Sequence, residues 1–368
     1  MLSAITTFGL TAVTLLPQLE WLPHTTRQLL LQTHEVFPQW SSVNEFIRSI
    51  FWPWGSINQL DSEKWIPLGV FTTALGLFGF LKLTRKLKLL IIACGSISLL
   101  VVLTNLSPIY SFLIDQNWFV MLRITTRVWF IPIFLVILLA AYGLDILVKS
   151  GHSKKLIVFI AAICILETLA LSWMRILKPT EIATKYAPRE VYEYLVKDKN
   201  RFRVYCTNRC IPQKMAAMYG LELVEGYNTV QQTNYYKQAW QLTGAYWNYY
   251  TLSIPPIGIY TFEKPQPNAK SLGEFNTKYV ISPYELADKD FKLENKFGEY
   301  YFYQNQAFLP RSYFQMEDQK PGGEAKVITY TPNYIKVETS GHESSRIVLS
   351  EVWSPGWKAF LNGSQKVD

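Results

Sequence analysis

Five long apolar runs occupy the first half of this 368-residue chain and constrain its fold more than any other feature. Each run holds about 17–20 residues, enough at 1.5 Å per residue to cross a hydrocarbon layer of roughly 30 Å. Helices are the expected spanning form, because a backbone inside lipid must satisfy its own hydrogen-bonding groups. The runs are Leu2–Leu19, Trp65–Leu81, Leu89–Leu106, Val128–Leu147 and Leu156–Met174.

The charges between these runs predict one orientation. The loops Lys82–Lys88 and Lys149–Lys155 are rich in lysine and arginine and contain no acidic residue. Basic residues accumulate in cytoplasmic loops of membrane proteins. We therefore expect a multi-pass membrane protein whose N-terminus is inside and whose tail, from residue 175 onward, is outside the cytoplasm.

The net charge of +8 does not indicate a nucleic-acid partner. The basic residues near the apolar runs cluster in short loops, and the sequence contains no zinc-finger, arginine-rich or RNP-type motif. It also lacks the GxSxG, HExxH, P-loop and GxGxxG motifs of soluble enzymes. We expect no nucleic acid and identify no cofactor; a divalent metal stays open, without an identified site.

The second half of the chain reads as a polar, folded domain. A helical pattern at 186–198 and the strand TKYVIS at 277–282 predict an α/β portion over 175–296. Strands separated by turn signals then predict a β-sandwich-like portion over 297–368, in which we include EYYFYQN at 299–305. The expected fold class is thus a membrane all-α region of about five transmembrane helices (1–174), followed by an extracytoplasmic α/β plus β-sandwich-like domain.

Three residues are notable for their chemistry. Glu167 lies near the middle of the fifth apolar run, where an ionisable group is costly. It is either functional or a hydrogen-bonded glutamate between helices, and both alternatives stay open. Cys206 and Cys210 form CTNRC, which could be a disulfide outside the cytoplasm. No histidine lies near this pair, so it does not indicate a metal site.

Six stretches together resemble the YfhO family of bacterial polytopic membrane proteins. The ordered set carries the resemblance, and its last two members are the most specific. The stretches are LLPQLEWLPHTTR (15–27), LRITTRVWFIPIFLVILLAAYGLDIL (122–147), VEGYNTVQQTNYY (224–236), FNTKYVI (275–281), FYQNQAFLPRSYF (302–314) and SEVWSPGWKAFLNG (350–363).

This resemblance implies a glycosyltransferase of the multi-helix GT-C type in the bacterial cell membrane. Such an enzyme takes a sugar from a polyprenyl-phosphate donor and transfers it to an envelope glycan or lipid. The family has further helices upstream, including the loop where GT-C enzymes carry a catalytic Asp, and a sandwich that continues past KAFLNGSQKVD. The resemblance therefore implies a C-terminal fragment without the catalytic loop, which leaves independent catalysis open.

Arginines at the predicted outer face are candidates for binding the donor phosphate. Arg123 and Arg127 precede the fourth run at four-residue spacing, which on a helix puts both on one face, one turn apart. Arg27 follows the first run, and Glu20 is a candidate base or a partner of the base. Guanidinium groups hold phosphate through charge-assisted hydrogen bonds. Alternatively, these arginines only reach toward membrane lipid headgroups.

A non-catalytic function is the alternative reading. The chain would then be a membrane-anchored assembly or glycan-binding subunit of envelope polysaccharide synthesis. The aromatic-rich stretch 235–260 suits stacking on carbohydrate, and it equally suits a buried core. A transporter is less consistent with the sequence, because no inverted repeat is visible.

Overall fold

The computed structural model of the chain describes residues 2–31, 34, 36–51, 62–176, 186–227, 231–245, 253–254, 264–315, 324–340, 346–354 and 356–367. The chain divides into two compact units. The sheet unit comprises Met1–Leu29 and Ile182–Asp368, and the helical unit comprises Leu30–Glu181.

The helices in chain order are α1 (Leu2–Trp21), α2 (Arg27–Leu30), α3 (Val43–Phe51), α4 (Val70–Leu81), α5 (Arg85–Val102), α6 (Tyr110–Ile114), α7 (Asn117–Leu122), α8 (Phe130–Lys149), α9 (Lys154–Ile176), α10 (Arg189–Lys197), α11 (Gln213–Tyr219), α12 (Thr233–Thr243) and α13 (Ala269–Glu274). The strands are β1 (Arg203–Cys206), β2 (Glu222–Leu223), β3 (Gly226–Tyr227), β4 (Ser253–Ile254), β5 (Thr277–Ser282), β6 (Phe291–Phe297), β7 (Tyr300–Asn305), β8 (Ser312–Phe314), β9 (Glu324–Thr331), β10 (Tyr334–Ser340), β11 (Ile347–Leu349), β12 (Ala359–Leu361) and β13 (Gln365–Val367).

Every predicted apolar run contains a helix, but the helices differ in how well they suit a membrane. Among the described residues, two segments are long and apolar enough to cross one, Thr125–Lys149 and Lys154–Trp173. The run Trp65–Leu81 is helical only from Val70, and its 12 residues reach about 18 Å. The first turn of α5 carries three basic residues, which lowers its hydropathy. The structure therefore supports two spanning helices on length and composition, and not the expected five.

The second run is shortened because its backbone turns before the helix begins. Gly69 has a φ of +80°, a conformation that glycine adopts more readily than any other residue, and Pro67 lacks a backbone N–H. From Val70 onward α4 packs closely on α8. A Cβ on Gly76 would lie 3.1 Å from the backbone oxygen of Val136, so a small residue is needed at this approach.

Two tryptophans hold the core of the helical unit. The indole N–H of Trp40 donates to the backbone oxygen of Val102 at 2.9 Å, and that of Trp129 donates to Ile66 at 2.9 Å. Both rings are buried and pack against Phe46 in edge-to-face contacts. Each indole therefore fills the core while its one donor remains satisfied.

A five-stranded mixed sheet forms the centre of the sheet unit, in the order β2-β1-β5-β7-β6. Strand β1 is parallel to β2 and β5, whereas β7 is antiparallel to β5 and β6. Alternate residues of a strand face opposite sides. Helices α10 and α11 accordingly pack with Val204 and Ile281 on one face, while α12 and α13 pack with Tyr205 and Val280 on the other. The result is a three-layer α/β/α arrangement.

The predicted boundary at residues 296–297 falls inside this sheet and is wrong. Strands β6 and β7 pair antiparallel across the turn at Gly298, whose φ is +60°. The stretch EYYFYQN therefore belongs to the α/β sheet, because β7 pairs on its other side with β5. The described residues beyond it form three two-stranded pairings, β8 with β11, β9 with β10 and β12 with β13, rather than two packed sheets.

Candidate functional site

A pocket of about 250 Å³ lies in the sheet unit where three segments that are distant in sequence meet. The first segment follows the end of α1, the second is the start of α12, and the third is the loop after β11. The lining residues are Trp21, Pro23, His24, Gln28, Leu29, Gln232, Thr233, Asn234 and Trp353.

Backbone hydrogen bonds join the first two segments. Thr25 forms an antiparallel bridge with Gln232, and the backbone N–H of Thr26 donates to the backbone oxygen of Gln231 at 2.8 Å. Both threonines are buried, and the hydroxyl of Thr25 donates to the backbone oxygen of Leu22 at 2.8 Å. The chain leaving α1 is thus fixed against the start of α12, so one side of the pocket is preformed.

Aromatic rings form a second side of the pocket. The ring of His24 makes edge-to-face contacts with Trp21 and with Trp353, each with 6.5 Å between ring centroids. Trp353 exposes 59% of its surface. An exposed indole face offers apolar contact area at low entropic cost, and it suits the C–H face of a ligand.

Apart from His24, the polar lining consists of uncharged groups. Gln28, Gln232, Thr233 and Asn234 supply amide and hydroxyl groups, and the nine lining residues include no Asp, Glu, Lys or Arg. The start of α12 has no side-chain cap, so its first N–H groups have no partner inside the helix. Because amide and hydroxyl groups both donate and accept hydrogen bonds, the pocket presents donors and acceptors.

An ion-pair network fixes the segment that carries Trp353. The Arg311 guanidinium, which is 3% exposed, donates from Nη1 to Oε1 of Glu351 at 2.9 Å and also pairs with Glu222. Arg203 donates to the second oxygen of Glu351 at 3.2 Å, and the hydroxyl of Tyr330 donates to Oε1 at 2.7 Å. Because Glu351 precedes Trp353 by two residues, this network ties the pocket loop to the central sheet.

The network also lowers the pKa of one of its own carboxyl groups, that of Glu222. Burial raises the pKa of the Glu222 carboxyl, but Arg311 and Arg201 outweigh that effect and the pKa ends below its usual value.

Arg311 and Glu351 lie in the last two stretches that carry the family resemblance, 302–314 and 350–363. Those two stretches are therefore joined directly by an ion pair.

The candidate residues at the end of α1 flank this pocket in sequence without lining it. Glu20 precedes the lining residue Trp21 and is exposed, and Arg27 precedes Gln28 and is half-buried. Both belong to the sheet unit, whereas Arg123 and Arg127 belong to the helical unit.

The expectation that Arg123 and Arg127 share one helical face is wrong. Helix α7 ends at Leu122, and Arg123 has a φ of +55°. The reason is a bridge to Phe37, whose backbone N–H donates to the oxygen of Arg123 at 2.6 Å and whose oxygen accepts from Thr125 at 2.8 Å. This bridge holds the chain out of a helix. The side chain of Arg127 is 59% exposed, and its Nη2 atom lies 3.9 Å from Oε1 of Glu63.

Glu167 is bound by the start of α4. Its carboxylate accepts hydrogen bonds from the backbone N–H groups of Val70 at 2.5 Å, Phe71 at 3.1 Å and Thr72 at 3.2 Å. These donors have no partner inside their own helix. Of the two alternatives for this residue, the geometry favours a hydrogen-bonded glutamate between helices.

Beside Thr72, a cleft of about 410 Å³ opens between α4, α8 and α9. Its lining is mainly apolar, with hydroxyl groups on one side. The lining residues are Trp65, Pro67, Leu68, Thr72, Ile133, Val136, Ile137, Thr168, Leu171 and Ser172.

The carboxyl ends of the parallel strands hold a buried acid that no motif or spacing in the sequence indicates. Glu225 follows β2, is 4% exposed, and accepts a hydrogen bond at Oε1 from the backbone N–H of Cys206 at 3.1 Å. Burial raises the pKa of this carboxyl to about 8. Cys206 and Cys210 form a disulfide in the structure, with their Cα atoms 5.8 Å apart. Within the described part of the chain, no group of three or more His, Cys, Asp or Glu could hold a metal ion.

Comparisons of this chain with protein-family models, with curated proteins and with solved structures find no match.

Proposed function

We propose that this chain is part of a membrane glycosyltransferase that uses a polyprenyl-phosphate-linked sugar to modify a cell-envelope glycan or lipid. The observation that carries the proposal is the pocket at the end of α1. Its residues come from three stretches of the YfhO-like set, 15–27, 224–236 and 350–363, together with Gln28 and Leu29. Stretches that lie far apart in sequence and together carry a family resemblance are expected to meet in the fold if they build one site.

The composition of the pocket supports a sugar ligand. Indole rings, amide side chains and the open start of a helix suit a molecule with an apolar face and several hydroxyl groups. Helix α1 is an apolar 20-residue helix that ends at the lining residue Trp21. With five crossings and the N-terminus inside, that end would be at the outer membrane face, where the head of a lipid-linked sugar is presented.

The helical unit, taken by itself, has an apolar cleft between α4, α8 and α9 that suits an isoprenoid chain. Arg27 in the sheet unit, and Arg123 and Arg127 in the helical unit, are separate candidates for binding a phosphate, although helical spacing does not favour the last two. Glu20, next to Trp21, is the candidate base for the acceptor hydroxyl.

Binding of the donor tests the proposal. The full chain in nanodiscs is titrated with a short-chain polyprenyl-phosphate hexose and, in parallel, with the same polyprenyl phosphate without sugar. We expect the sugar-bearing lipid to bind at least tenfold more tightly. Equal affinity for the two lipids would mean that the protein recognises only a lipid phosphate, and the glycosyltransferase proposal would fail.

The orientation is tested separately with reporter fusions at Lys86, Ser150 and Asp368. We expect cytoplasmic signals at the first two positions and an external signal at the third, from the basic-loop bias. A cytoplasmic signal at Asp368 would overturn the five-crossing topology and the placement of the pocket at the outer face.

A non-catalytic glycan-binding subunit is the second candidate function. It is favoured by one observation, the absence of a carboxylate among the nine residues that line the pocket. Release of polyprenyl phosphate from labelled donor by the full chain separates the two functions. Turnover that falls in a Glu20→Gln variant supports the enzyme, whereas tight binding without turnover supports the subunit.

A further inference from the structure

Three properties of the pocket at the end of α1 together define its ligand more closely than the proposed function does. The first is size. Its volume of about 250 Å³ is below the 300–1,000 Å³ typical of drug-sized ligands. A space of this size accommodates one six-membered ring with its substituents and not an extended oligosaccharide.

The second property is that the pocket carries uncharged groups that both donate and accept hydrogen bonds. Gln28, Gln232 and Asn234 line it with amide groups and Thr233 lines it with a hydroxyl group. The first N–H groups of α12 have no side-chain cap among the described residues, which adds donors at this end of the helix. A hydroxyl group both donates and accepts, so it can pair with all of these groups. A phosphate dianion or a carboxylate accepts only, and it would leave the amide oxygens of the lining without a donor.

The third property is the lack of a permanent charge. The described lining residues include no lysine, arginine, aspartate or glutamate, and the ring of His24, the one ionisable group among them, packs against Trp21 and Trp353. An anionic ligand would therefore lose its hydration without gaining a permanently charged cation. The positive end of the α12 dipole attracts anions, but this attraction is weak beside the loss of hydration in a partly enclosed site. No acidic residue is among the described lining residues, so a cationic ligand is equally disfavoured.

From these properties we infer that the pocket binds a single uncharged pyranose ring, with the apolar face of the sugar on Trp353 and its hydroxyl groups bonded to Gln232 and to the first turn of α12. This inference rests on the proposed function and deepens it, since it assigns the sugar-recognition residues and the class of sugar. Uronic acids and sugars phosphorylated away from the anomeric carbon are excluded as occupants, whereas the anomeric phosphate of the proposed donor would lie outside the pocket.

The test uses the full chain in nanodiscs of zwitterionic lipid, with affinity measured by calorimetry. The probes are uncharged methyl hexopyranosides, including N-acetylhexosaminides, against methyl glucuronide and hexose 6-phosphate. We expect the best uncharged pyranoside to bind at least tenfold more tightly than either charged probe. Tighter binding of a charged probe overturns the inference, as does the failure of every pyranoside to bind at millimolar concentration.

Matched variants test the assigned residues. Trp353→Ala and Gln232→Leu should each weaken binding of the uncharged pyranoside about tenfold, the effect of one lost hydrogen bond or stacking contact. Trp357→Ala, in the same loop, and Gln238→Leu, on the exposed side of α12, should leave it unchanged, because neither residue lines the pocket. Unchanged affinity in both pocket variants overturns the inference.

The same titrations separate this inference from the proposed function. An uncharged pyranoside that binds through Trp353, with no preference for the sugar-bearing polyprenyl phosphate, keeps the pocket and removes the glycosyltransferase. If the preference for the sugar-bearing lipid survives in Trp353→Ala and Gln232→Leu, the glycosyltransferase proposal stands and the assignment of the sugar to this pocket fails. Where a variant fails to fold, the pyranoside panel with the unmodified chain still tests the inference, because it compares uncharged with charged probes.

Discussion

The carboxylate of Glu167 accepts a hydrogen bond of 2.5 Å from the backbone N–H of Val70, although 97 residues separate the two. The next two N–H groups of α4 bond to the same carboxylate. An acid in the middle of an apolar helix thus serves as the cap of a neighbouring helix. Its cost is offset by three donors that would themselves be costly to leave unpaired in lipid.

Removal of this cap should destabilise the helical unit. Loss of a helix cap costs about 0.5–2 kcal/mol in water, and we expect Glu167→Ala to be at the upper end of that range. Glu167→Gln, which keeps one acceptor oxygen, should lose less. Unfolding in mild detergent measures both. Asp145→Ala is the control, because its carboxylate pairs with Lys149 at an exposed position. Equal losses in the Glu167 and Asp145 variants would contradict a capping role.

A methyl group at Gly69 should disturb the same contact between Glu167 and the start of α4. A Cβ there would lie 2.5 Å from Oε2 of Glu167, and the φ of +80° is strained for any residue with a side chain. We expect Gly69→Ala to lower the unfolding free energy by about 1–3 kcal/mol. Gly95→Ala is the matched control, since nothing lies within 4 Å of its added Cβ in α5. There alanine should be neutral or stabilising. A Gly69 variant as stable as the Gly95 variant would exclude this strain.

The sequence predicted the existence of the membrane-half helices better than their ends. Hydropathy identifies apolar residues whether or not the backbone is helical, so the run Trp65–Leu81 looked long enough to span. The turn at Gly69 depends on contacts with α9, which hydropathy does not report. Likewise, the spacing of Arg123 and Arg127 indicated one helix face, but the bridge to Phe37 prevents that helix.

No catalytic or binding motif in the sequence predicted the pocket. Its polar residues are glutamine, threonine and asparagine, which belong to no catalytic motif, and its three segments meet only through the fold. The family-like stretches did contain most of these residues, and they were the one available signal. EYYFYQN was assigned to the wrong portion because its alternating pattern fits any antiparallel strand, whichever sheet it joins.

The Arg311–Glu351 pair should matter for both stability and ligand binding. Breaking a buried ion pair leaves an uncompensated charge and costs roughly 3–5 kcal/mol. Because the Glu351 side chain is 22% exposed, we expect about 2–3 kcal/mol for Arg311→Met, together with weaker sugar binding through displacement of Trp353. Arg189→Ala, which breaks an exposed pair with Glu193, is the control and should change neither quantity. An Arg311 variant with unaltered sugar affinity would show that the network does not position the pocket.

The disulfide between Cys206 and Cys210 should be detectable by alkylation. The chain has four cysteines, and the other two, Cys94 and Cys164, are free. We expect two alkylated sites in denatured protein without reductant and four after reduction, by mass spectrometry. Loop-entropy arithmetic gives about 2 kcal/mol for so short a loop, so Cys206→Ser should destabilise the sheet unit by roughly that amount. Four alkylated sites before reduction would disprove the bridge.

The buried carboxyl of Glu225 should make the stability of the sheet unit depend on pH. Burial raises its pKa to about 8 in the folded protein, against about 4.3 in an unfolded chain. Below pH 4 both states hold the proton. Between pH 5 and 8 the folded state retains a proton that the unfolded state has released, so stability falls as pH rises, by up to about 1.4 kcal/mol per pH unit. Above pH 8 both states are ionised and this loss is complete.

The carboxyl groups of Asp198 and Glu222 should not contribute to the pH dependence between pH 5 and 8. The pKa values of Asp198 and Glu222 are lowered by their cationic partners, so their stabilisation is lost only in acid. We therefore expect the amide protection of β1 and β5, measured by hydrogen exchange in the full chain, to decline from pH 5 to pH 8 after correction for intrinsic rates. Glu225→Gln should remove the decline, because a neutral amide has no proton to release. Glu193→Gln, at an exposed position of α10, should retain it. Parallel pH profiles for the unmodified chain and the Glu225 variant would show that this carboxyl does not hold its proton when folded.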